Sequence, residues 1–161
     1  MRYMMVYGAP IGQIGLIEED GALIRAEYLE DFTAMREMQN REEAKTEETQ
    51  FLTEVMRELD EYFSCVRTSF TVPMREEGTD FQKKVWAELR RIPFGEYRTY
   101  AQIAEAIGSP KAVQAVGQAC KKNPMAIFTP CHRVIKSDGT LGSYAGGLRA
   151  KYYLLMQEGV I

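Results

Sequence analysis

The residues best suited to chemistry stand together as Pro130-Cys131-His132-Arg133-Val134, a run that joins one of three cysteines to the only histidine. A thiol attacks carbon as its thiolate, and a neighbouring base or cation is the usual means of lowering its pKa from about 8.5. Pro130 fixes its own φ and favours an extended Thr129, so we expect a stiff turn to present Cys131. The pattern indicates a nucleophilic site, although a cysteine that merely fills a core also fits the dipeptide taken alone.

The composition argues against several other classes of protein. Three cysteines without a CxxC spacing argue against a disulfide framework, and a single histidine allows no convincing zinc site, so we predict no metal. No apolar run reaches about 18 residues, which excludes a membrane span. The N-terminus lacks the apolar run of a secretory signal, and we therefore expect a cytoplasmic protein, or a nuclear one if its source has a nucleus.

The net charge of −3 conceals an uneven distribution along the chain. Residues 80–161 hold 12 basic and 6 acidic side chains, net +6, whereas residues 1–79 hold 8 and 17, net −9. This asymmetry suggests that the C-terminal half faces phosphate and the N-terminal half faces water. The acidic runs of the N-terminal half are equally typical of solvated helix faces.

The first half of the chain shows strand patterns followed by a helix pattern. Apolar residues alternate within residues 1–30, with turn signals at Gly8-Ala9-Pro10 and Glu19-Asp20-Gly21, which predicts two or three antiparallel strands. Residues 46–63 place apolar side chains at a period near 3.6, typical of an amphipathic helix. Residues 64–78 indicate a linker or an edge segment.

The second half opens with a predicted helix that has a clear start and stop. Thr79 is a suitable N-cap for apolar residues spread over residues 81–92, and Pro93 bounds the helix at its C-terminal end. The lone Trp86 is expected in the core of this half.

A compact pair of helices is predicted next. Thr99 can cap a helix over residues 100–107, which Gly108 ends, and Ser109-Pro110 is typical of the start of a second helix that runs to about Lys121. Two short helices joined by a tight turn containing glycine predict a helix-turn-helix.

The second helix of this pair carries little side-chain bulk. Small side chains suit either tight packing within the protein or close approach to DNA, and the periodicity alone does not decide between them. The flanking basic residues can bind phosphates or be ordinary exposed charges. The small or short residues are Ala112, Val113, Ala115, Val116, Gly117 and Ala119, and the basic ones are Arg98, Lys111, Lys121 and Lys122.

From Phe94 onward the order and spacing of several motifs are distinctive. They read Phe-Gly-Glu-Tyr-Arg-Thr-Tyr-Ala-Gln-Ile-Ala, Gly-Ser-Pro-Lys-Ala-Val-Gln-Ala-Val-Gly, Lys-Asn-Pro, Thr-Pro-Cys-His-Arg-Val-Ile and Gly-Ser-Tyr-Ala-Gly-Gly-Leu. In these motifs the chain resembles the O6-alkylguanine-DNA alkyltransferases, which move an alkyl group from a damaged base to their own cysteine. The resemblance is close over roughly residues 79–159 and looser before them.

The resemblance implies a fold and a reaction. It implies a ribonuclease-H-like α/β domain over residues 1–75 and a mostly helical domain with a winged helix-turn-helix over residues 76–161. The reaction is irreversible transfer from O6-alkylguanine, less readily O4-alkylthymine, to Cys131, once per molecule. No cofactor is implied because DNA is the alkyl donor. The implied partner is double-stranded DNA contacted in its minor groove by a monomer.

The resemblance also implies roles for single residues. Cys131 is the acceptor, His132 the base that acts through a water, and Glu158 the carboxylate that orients the imidazole, as in a catalytic triad. Residues implied to bind the base or hold the site are Tyr100, Asn123, Val134, Tyr144, Ala145, Gly146 and Gly147. Residues implied or suggested by charge to contact DNA are Arg98, Lys111, Ala112, Gln114, Ala115, Lys121, Lys122 and Arg133.

One position departs from the family's pattern, and two other functions stay open. Family members typically carry an arginine where this chain has Gln114, and that arginine fills the space of the nucleotide rotated out of the duplex. An alkyltransferase-like protein that binds lesions without transfer commonly lacks the cysteine, which this chain keeps as Cys131. A cysteine hydrolase that uses Cys131 and His132 would turn over without DNA, and no acyl-binding pattern supports it.

Overall fold

A computed structural model describes all residues from Met1 to Ile161 and divides into two compact units, Met1–Glu76 and Glu77–Ile161. The boundary falls beside the glycine of the predicted linker, Gly78. No helix combines the length and the apolar character that crossing a membrane requires.

A four-stranded mixed sheet forms the centre of the first unit. Its strands lie in the order β3-β2-β1-β4; β1 and β3 run antiparallel to β2, and β4 runs parallel to β1. Two or three antiparallel strands were expected within residues 1–30, and three are present. Asp20 and Gly21, both at positive φ, form the hairpin turn between β2 and β3. The strands are β1 (Arg2–Ala9), β2 (Gly12–Glu19), β3 (Ala22–Leu29) and β4 (Ala44–Thr46).

Two helices accompany this sheet, α1 (Phe32–Arg41) and α2 (Gln50–Phe63). The predicted helix over residues 46–63 exists but begins later, because Thr49 caps it by accepting a hydrogen bond from the Leu52 amide. The sequence patterns predicted neither α1 nor β4. Met38 is the only buried residue of α1, so this helix has almost no apolar face to reveal it.

The segment after α2 pairs with an edge of the sheet, as its sequence indicated. The Leu23 amide donates to the Pro73 carbonyl at 2.9 Å, and the Arg75 amide donates to the Leu23 carbonyl at 3.0 Å. The buried carboxylate of Glu58 accepts hydrogen bonds from the Thr71 amide and hydroxyl, which fixes the segment to α2.

The second unit has four helices, and the first three of them share one apolar core with the segment around Cys131. Trp86 lies in this core, as expected, and its indole nitrogen donates to the Ala119 carbonyl at 2.9 Å. A short parallel pair of strands, β5 and β6, joins the segment before α4 to the segment after Cys131. The elements are α3 (Asp80–Leu89), β5 (Arg98–Thr99), α4 (Tyr100–Ala106), α5 (Val113–Lys121), β6 (Val134–Ile135) and α6 (Leu148–Gln157).

The caps predicted for α3 and α4 are confirmed, but the start predicted for the next helix is wrong. Thr79 and Thr99 each form a reciprocal capping box with the glutamine three residues later. Gly108 has φ +78, as the end of α4 requires. The second helix of the pair begins at Val113 rather than at Ser109-Pro110, because these two residues belong to a turn that the Ala112 amide closes on the Ser109 carbonyl.

Candidate active site

Cys131 lies at the start of a single 3-10 turn, Cys131–Arg133, which leads into β6. The Asn123 side chain holds this turn through its amide nitrogen, which donates to the Thr129 carbonyl at 2.8 Å and to Cys131 Sγ at 3.3 Å. Its oxygen accepts from the Met125 amide at 2.9 Å. One side chain thus fixes both the backbone before Cys131 and the sulfur itself.

Behind the cysteine, a buried chain of polar groups runs to the end of α6. His132 Nε2 lies 2.8 Å from Glu158 Oε2, and both side chains are fully buried. Arg133 Nε donates to Glu158 Oε1 at 2.7 Å, and the guanidinium also donates to the Ile92 carbonyl. The predicted contact between His132 and Glu158 is therefore present, with Arg133 as a third member.

The charges of this chain determine which nitrogen of His132 carries the proton. Burial favours a neutral Glu158, but hydrogen bonds from His132 and Arg133 outweigh it and hold the pKa of Glu158 at about 2. Burial lowers the pKa of His132, so its ring is neutral at neutral pH. Because a carboxylate only accepts, Nε2 is the protonated nitrogen, which leaves the Nδ1 lone pair available. Nδ1 is buried and has no hydrogen-bond partner among the protein atoms.

The cysteine itself rests as a thiol. Burial raises the pKa of Cys131, and the opposing influences, a hydrogen bond from Asn123 and the positive charge of Lys151, do not reverse the shift. The sequence pattern suggested a thiol with a lowered pKa, and the structure corrects this because the sulfur is shielded from water. A base must therefore remove the thiol proton during any attack by this sulfur.

Lys151 is a site residue that the sequence patterns missed. Its side chain is fully buried, and its ammonium donates to the carbonyls of Leu141 and Ser143, the latter at 3.3 Å. The ammonium also lies 5.9 Å from the centre of the Tyr100 ring. Burial lowers the pKa of Lys151 to about 8. The available signal was a lysine on the buried stripe of α6, which the apolar residues Leu154 and Leu155 continue.

Tyrosines and a loop complete the surroundings of the sulfur. The ring of Tyr100 packs against the core cluster that includes Cys131, and burial raises the pKa of its hydroxyl to about 12. The Tyr144 ring meets the His132 ring edge to face, with 6.3 Å between the ring centres. Gly142 has φ +76, and a Cβ built there would stand 3.2 Å from the Tyr100 hydroxyl, so both its conformation and its position favour glycine.

A cavity of about 290 Å³ opens beside Tyr100, between α5 and the segment that follows β6. Gln114, Gly117 and Lys121 line it from α5, and Gly142 lines it from the opposite segment. The structure thus brings the unusual Gln114 and the predicted hydroxyl of Tyr100 to one cavity.

Gly117 shows whether tight packing within the protein explains the small residues of α5. A Cβ built at Gly117 would meet no atom within 4 Å, and the neighbouring Ala115 is exposed. Packing within the protein therefore does not require a glycine inside this helix, where glycine costs about 1 kcal/mol relative to alanine. Val116 and Ala119 do face the core. Packing within the protein therefore leaves only the small side chains on the outer face of α5 unexplained.

The remaining predicted residues fall into distinct environments. Lys111, Lys121 and Lys122 are exposed and form no ion pair. Arg98 is instead half-buried and paired with Glu96 at 3.2 Å, and it lines a different cavity. The loop residues Ala145 and Gly147 are exposed, Gly146 and Ala112 are half-buried, and the Val134 side chain is fully buried.

Arg133 requires a correction. The resemblance and its charge suggest that Arg133 contacts DNA, but its guanidinium points inward and is occupied by Glu158 and the Ile92 carbonyl. The side chain is only 7% exposed, so it braces the site from within. The sequence could not distinguish this role, because an arginine beside a candidate nucleophilic cysteine suits phosphate binding equally well.

The fold and the site define a protein that holds a shielded, base-assisted thiol next to a helix with a small outer face. Comparison with protein-family models matches residues 80–160 to the 6-O-methylguanine DNA methyltransferase, DNA binding domain. Residues 2–75 match the ribonuclease-like domain of the same proteins. The chain belongs to the O6-methylguanine-DNA methyltransferase family, and the predicted family and fold class are confirmed.

Similar proteins span nearly the whole chain. The constitutive methylated-DNA–protein-cysteine methyltransferase of Bacillus subtilis is 45% identical, with 98% of this chain and 96% of that protein covered. Its counterpart in Methanosarcina acetivorans is 42% identical, with 98% of each covered. The crystal structure of the Mycobacterium tuberculosis O6-methylguanine methyltransferase superposes with a TM-score of 0.89 at 37% identity, covering 99% of this chain and 93% of that one. The M. tuberculosis protein in complex with DNA gives 0.86 at 37% identity, with 98% and 92% covered.

Proposed function

We propose that Cys131 accepts the methyl group of O6-methylguanine in DNA, in a direct-reversal repair reaction that uses each protein molecule once. The observation that carries this proposal is the arrangement of Cys131, His132 and Glu158. The Cys131 thiol needs a base, and the next residue, His132, has a neutral imidazole with an available Nδ1. The carboxylate of Glu158 fixes the tautomer of this ring.

In the reaction, His132 Nδ1 takes the proton of the Cys131 thiol through a bridging water. Sγ then attacks the methyl carbon in line with its bond to O6 of guanine. The S–C bond forms, the C–O6 bond breaks, and the electron pair of the broken bond stays on the base. The proton that His132 took from the thiol passes to a ring nitrogen of guanine, so His132 is neutral again, charge and protons balance, and the DNA leaves undamaged. The thioether on Cys131 is stable, which makes the reaction irreversible.

We infer roles for the groups around the sulfur. The hydroxyl of Tyr100 donates a hydrogen bond to the edge of the base, since a tyrosine with a pKa of about 12 keeps its proton at neutral pH. The Lys151 ammonium opposes the raised pKa of Cys131 and stabilises the thiolate while it exists. Tyr144, Ala145, Gly146 and Gly147 close over the base. O4-alkylthymine reacts in the same site, but less readily.

The reactive base reaches this site by leaving the duplex. The target carbon lies within double-stranded DNA, so the nucleotide must rotate out of the stack at a cost of roughly a few kcal/mol. Helix α5 lies in the minor groove, with its small outer face at Ala115 and Gly117 against the DNA. Gln114, which lines the cavity beside Tyr100, reaches into the duplex and fills the space that the nucleotide vacates there. One protein molecule binds one lesion.

A titration tests this proposal. Increasing amounts of a duplex containing O6-methylguanine are added to a fixed amount of protein, and the methyl remaining in the DNA is counted. We expect one methyl removed per protein molecule and no further turnover. Cys131→Ser should remove none while its DNA affinity stays within a few-fold of the wild type. Lesion binding without transfer by the wild type, or repeated turnover, would replace this function with one of the two alternatives.

A further inference from the structure

The cavity beside Tyr100 has an electrostatic feature that the repair reaction itself does not explain. Two charged residues line it, and both are lysines: Lys121 on α5 and Lys136 on the segment after β6. The other side chains that line it are neutral, including Gln114 and Gln118. A cavity that takes up only an uncharged methylated base would need neither ammonium group.

Both ammonium groups are available to a ligand. Lys121 and Lys136 are exposed and take part in no ion pair of the structure. The carboxylate nearest in sequence to Lys136 is Asp138, whose Oδ1 accepts hydrogen bonds from the amide and the hydroxyl of Thr140. Lys136 and Asp138 influence each other through their charges but form no ion pair.

The segment that carries Lys136 is held in place by its own hydrogen bonds. The Lys136 amide donates to the Thr140 carbonyl at 2.9 Å, and the Gly139 amide donates to the Lys136 carbonyl at 3.0 Å. At the other side of the cavity, Lys121 is the last residue of α5, where a positive charge is favourable to the helix dipole. Two separate and locally rigid elements therefore each present one ammonium to the same opening.

We propose that Lys121 and Lys136 bind the phosphates on either side of the extruded nucleotide, with Lys136 supplying the positive charge that Gln114 lacks. The inference rests on the proposed function, because it needs a nucleotide in this cavity. A nucleotide that enters carries its two flanking phosphates to the rim, and each phosphate that a lysine neutralises releases counterions and favours the extruded state. The ligand class is thus a phosphodiester, not the base.

The test uses neutral methylphosphonate linkages in a duplex that contains O6-methylguanine. One duplex carries the linkage on the 5′ side of the lesion and another on the 3′ side, and single-turnover repair is timed with the full-length protein. The variants are Lys136→Gln and Lys121→Gln, with Lys84→Gln as the matched control because Lys84 is exposed on α3 and lines no part of this cavity. Free O6-benzylguanine, which has no phosphates, is the second substrate.

We expect Lys136→Gln to slow duplex repair about tenfold, to make the slope of log rate against log salt shallower by about 0.9, and to leave the reaction with free O6-benzylguanine within twofold. One of the two methylphosphonates should slow the wild type to the same degree and should slow Lys136→Gln no further. The other methylphosphonate should likewise slow the wild type but should slow Lys121→Gln no further.

Three results would overturn the inference. These are fully additive effects of each variant with both linkages, an equal slowing with free O6-benzylguanine, and a slowing of duplex repair no greater than that of Lys84→Gln. A wild type that transfers no methyl from either substrate would overturn the proposed function itself, and the inference with it. That result is distinct from the selective losses that test the lysines.

Discussion

The behaviour of the single residues of this site depends on their protonation states. Glu158 keeps its charge, which places the proton of His132 on Nε2 and leaves Nδ1 without a proton. Burial raises the pKa of Cys131, so its thiol keeps its proton at rest, and in the proposed reaction His132 Nδ1 removes it. A shielded thiol that is ionised only during attack is protected from other electrophiles, because the thiolate is the reactive form.

The buried neutral His132 makes stability depend on pH. Its folded pKa lies below the unfolded value of about 6.5, so as pH falls through 6.5 the unfolded chain binds a proton that the folded chain refuses. We expect the free energy of unfolding to decrease as the pH falls below about 6.5, by up to about 1.4 kcal/mol per pH unit. Urea unfolding at several pH values measures this, and His132→Asn should flatten the dependence. A wild type as stable at pH 5 as at pH 7 would contradict the neutral buried ring.

Arg133 should matter for stability rather than for DNA binding. Arg133→Ala leaves the buried Glu158 without its main partner, and breaking a buried ion pair costs about 3–5 kcal/mol. Lys122→Ala, at an exposed position, should change stability by no more than about 0.5 kcal/mol. Urea unfolding of both variants checks the prediction. If Arg133→Ala folds as stably as Lys122→Ala but loses DNA affinity, the inward assignment of Arg133 is wrong.

The residues of the site could be predicted from the sequence to different degrees. Motif resemblance brought forward Cys131, His132 and Glu158, which the structure does bring together with Asn123. It did not bring forward Lys151, because a lysine on a helix is ordinarily exposed and only the packing of α6 shows that this one is buried.

At the scale of elements, local chemistry determined what could be predicted. The capping boxes at Thr79 and Thr99 depend on residues three positions apart, so the starts of α3 and α4 were predictable. Helix α5 starts at Val113 without a side-chain cap, so its start left no such pattern. Strand β4 spans Ala44–Thr46 and exists because it pairs with the distant β1, a contact that no local pattern encodes.

A substitution on the outer face of α5 should have opposite effects on the stability of the protein and on its affinity for DNA. Gly117→Ala adds a methyl group where nothing within the protein lies within 4 Å, so we expect the free protein to become more stable by about 1 kcal/mol. The same methyl should weaken binding to duplex DNA if this face lies in the groove. Thermal unfolding and a binding titration measure the two effects. A variant that gains stability and binds DNA as tightly as the wild type would remove Gly117 from the DNA face.

The whole molecule divides its charge as it divides its fold. The net +6 of residues 80–161 lies in the unit that holds Cys131, whereas the net −9 of residues 1–79 lies almost entirely in the other unit. Only the first of these charges favours DNA, so affinity should follow the basic residues of one unit rather than the net charge of the chain.

Salt dependence checks this division of charge. If about four phosphates are neutralised, log K against log salt should have a slope near −3.6, from about −0.9 per phosphate. Replacing Lys121 and Lys122 together by glutamine should make the slope shallower by about 1.8. Replacing Lys45, an exposed lysine of the first unit, should leave it unchanged. Equal changes in the slope from both replacements would show that the phosphates do not bind preferentially to the C-terminal unit.

Of the three cysteines of the chain, we propose that only Cys131 accepts the methyl group. Cys65 is exposed, Cys120 is buried with a raised pKa, and Cys131 alone stands beside an available imidazole nitrogen. The direct measurement is peptide mass spectrometry of the protein after reaction with a duplex containing O6-methylguanine. We predict one methyl group per chain, located on Cys131, and none in Cys131→Ser. A methyl group on Cys65 or Cys120, or an unmodified chain after the lesion has been repaired, would contradict the account.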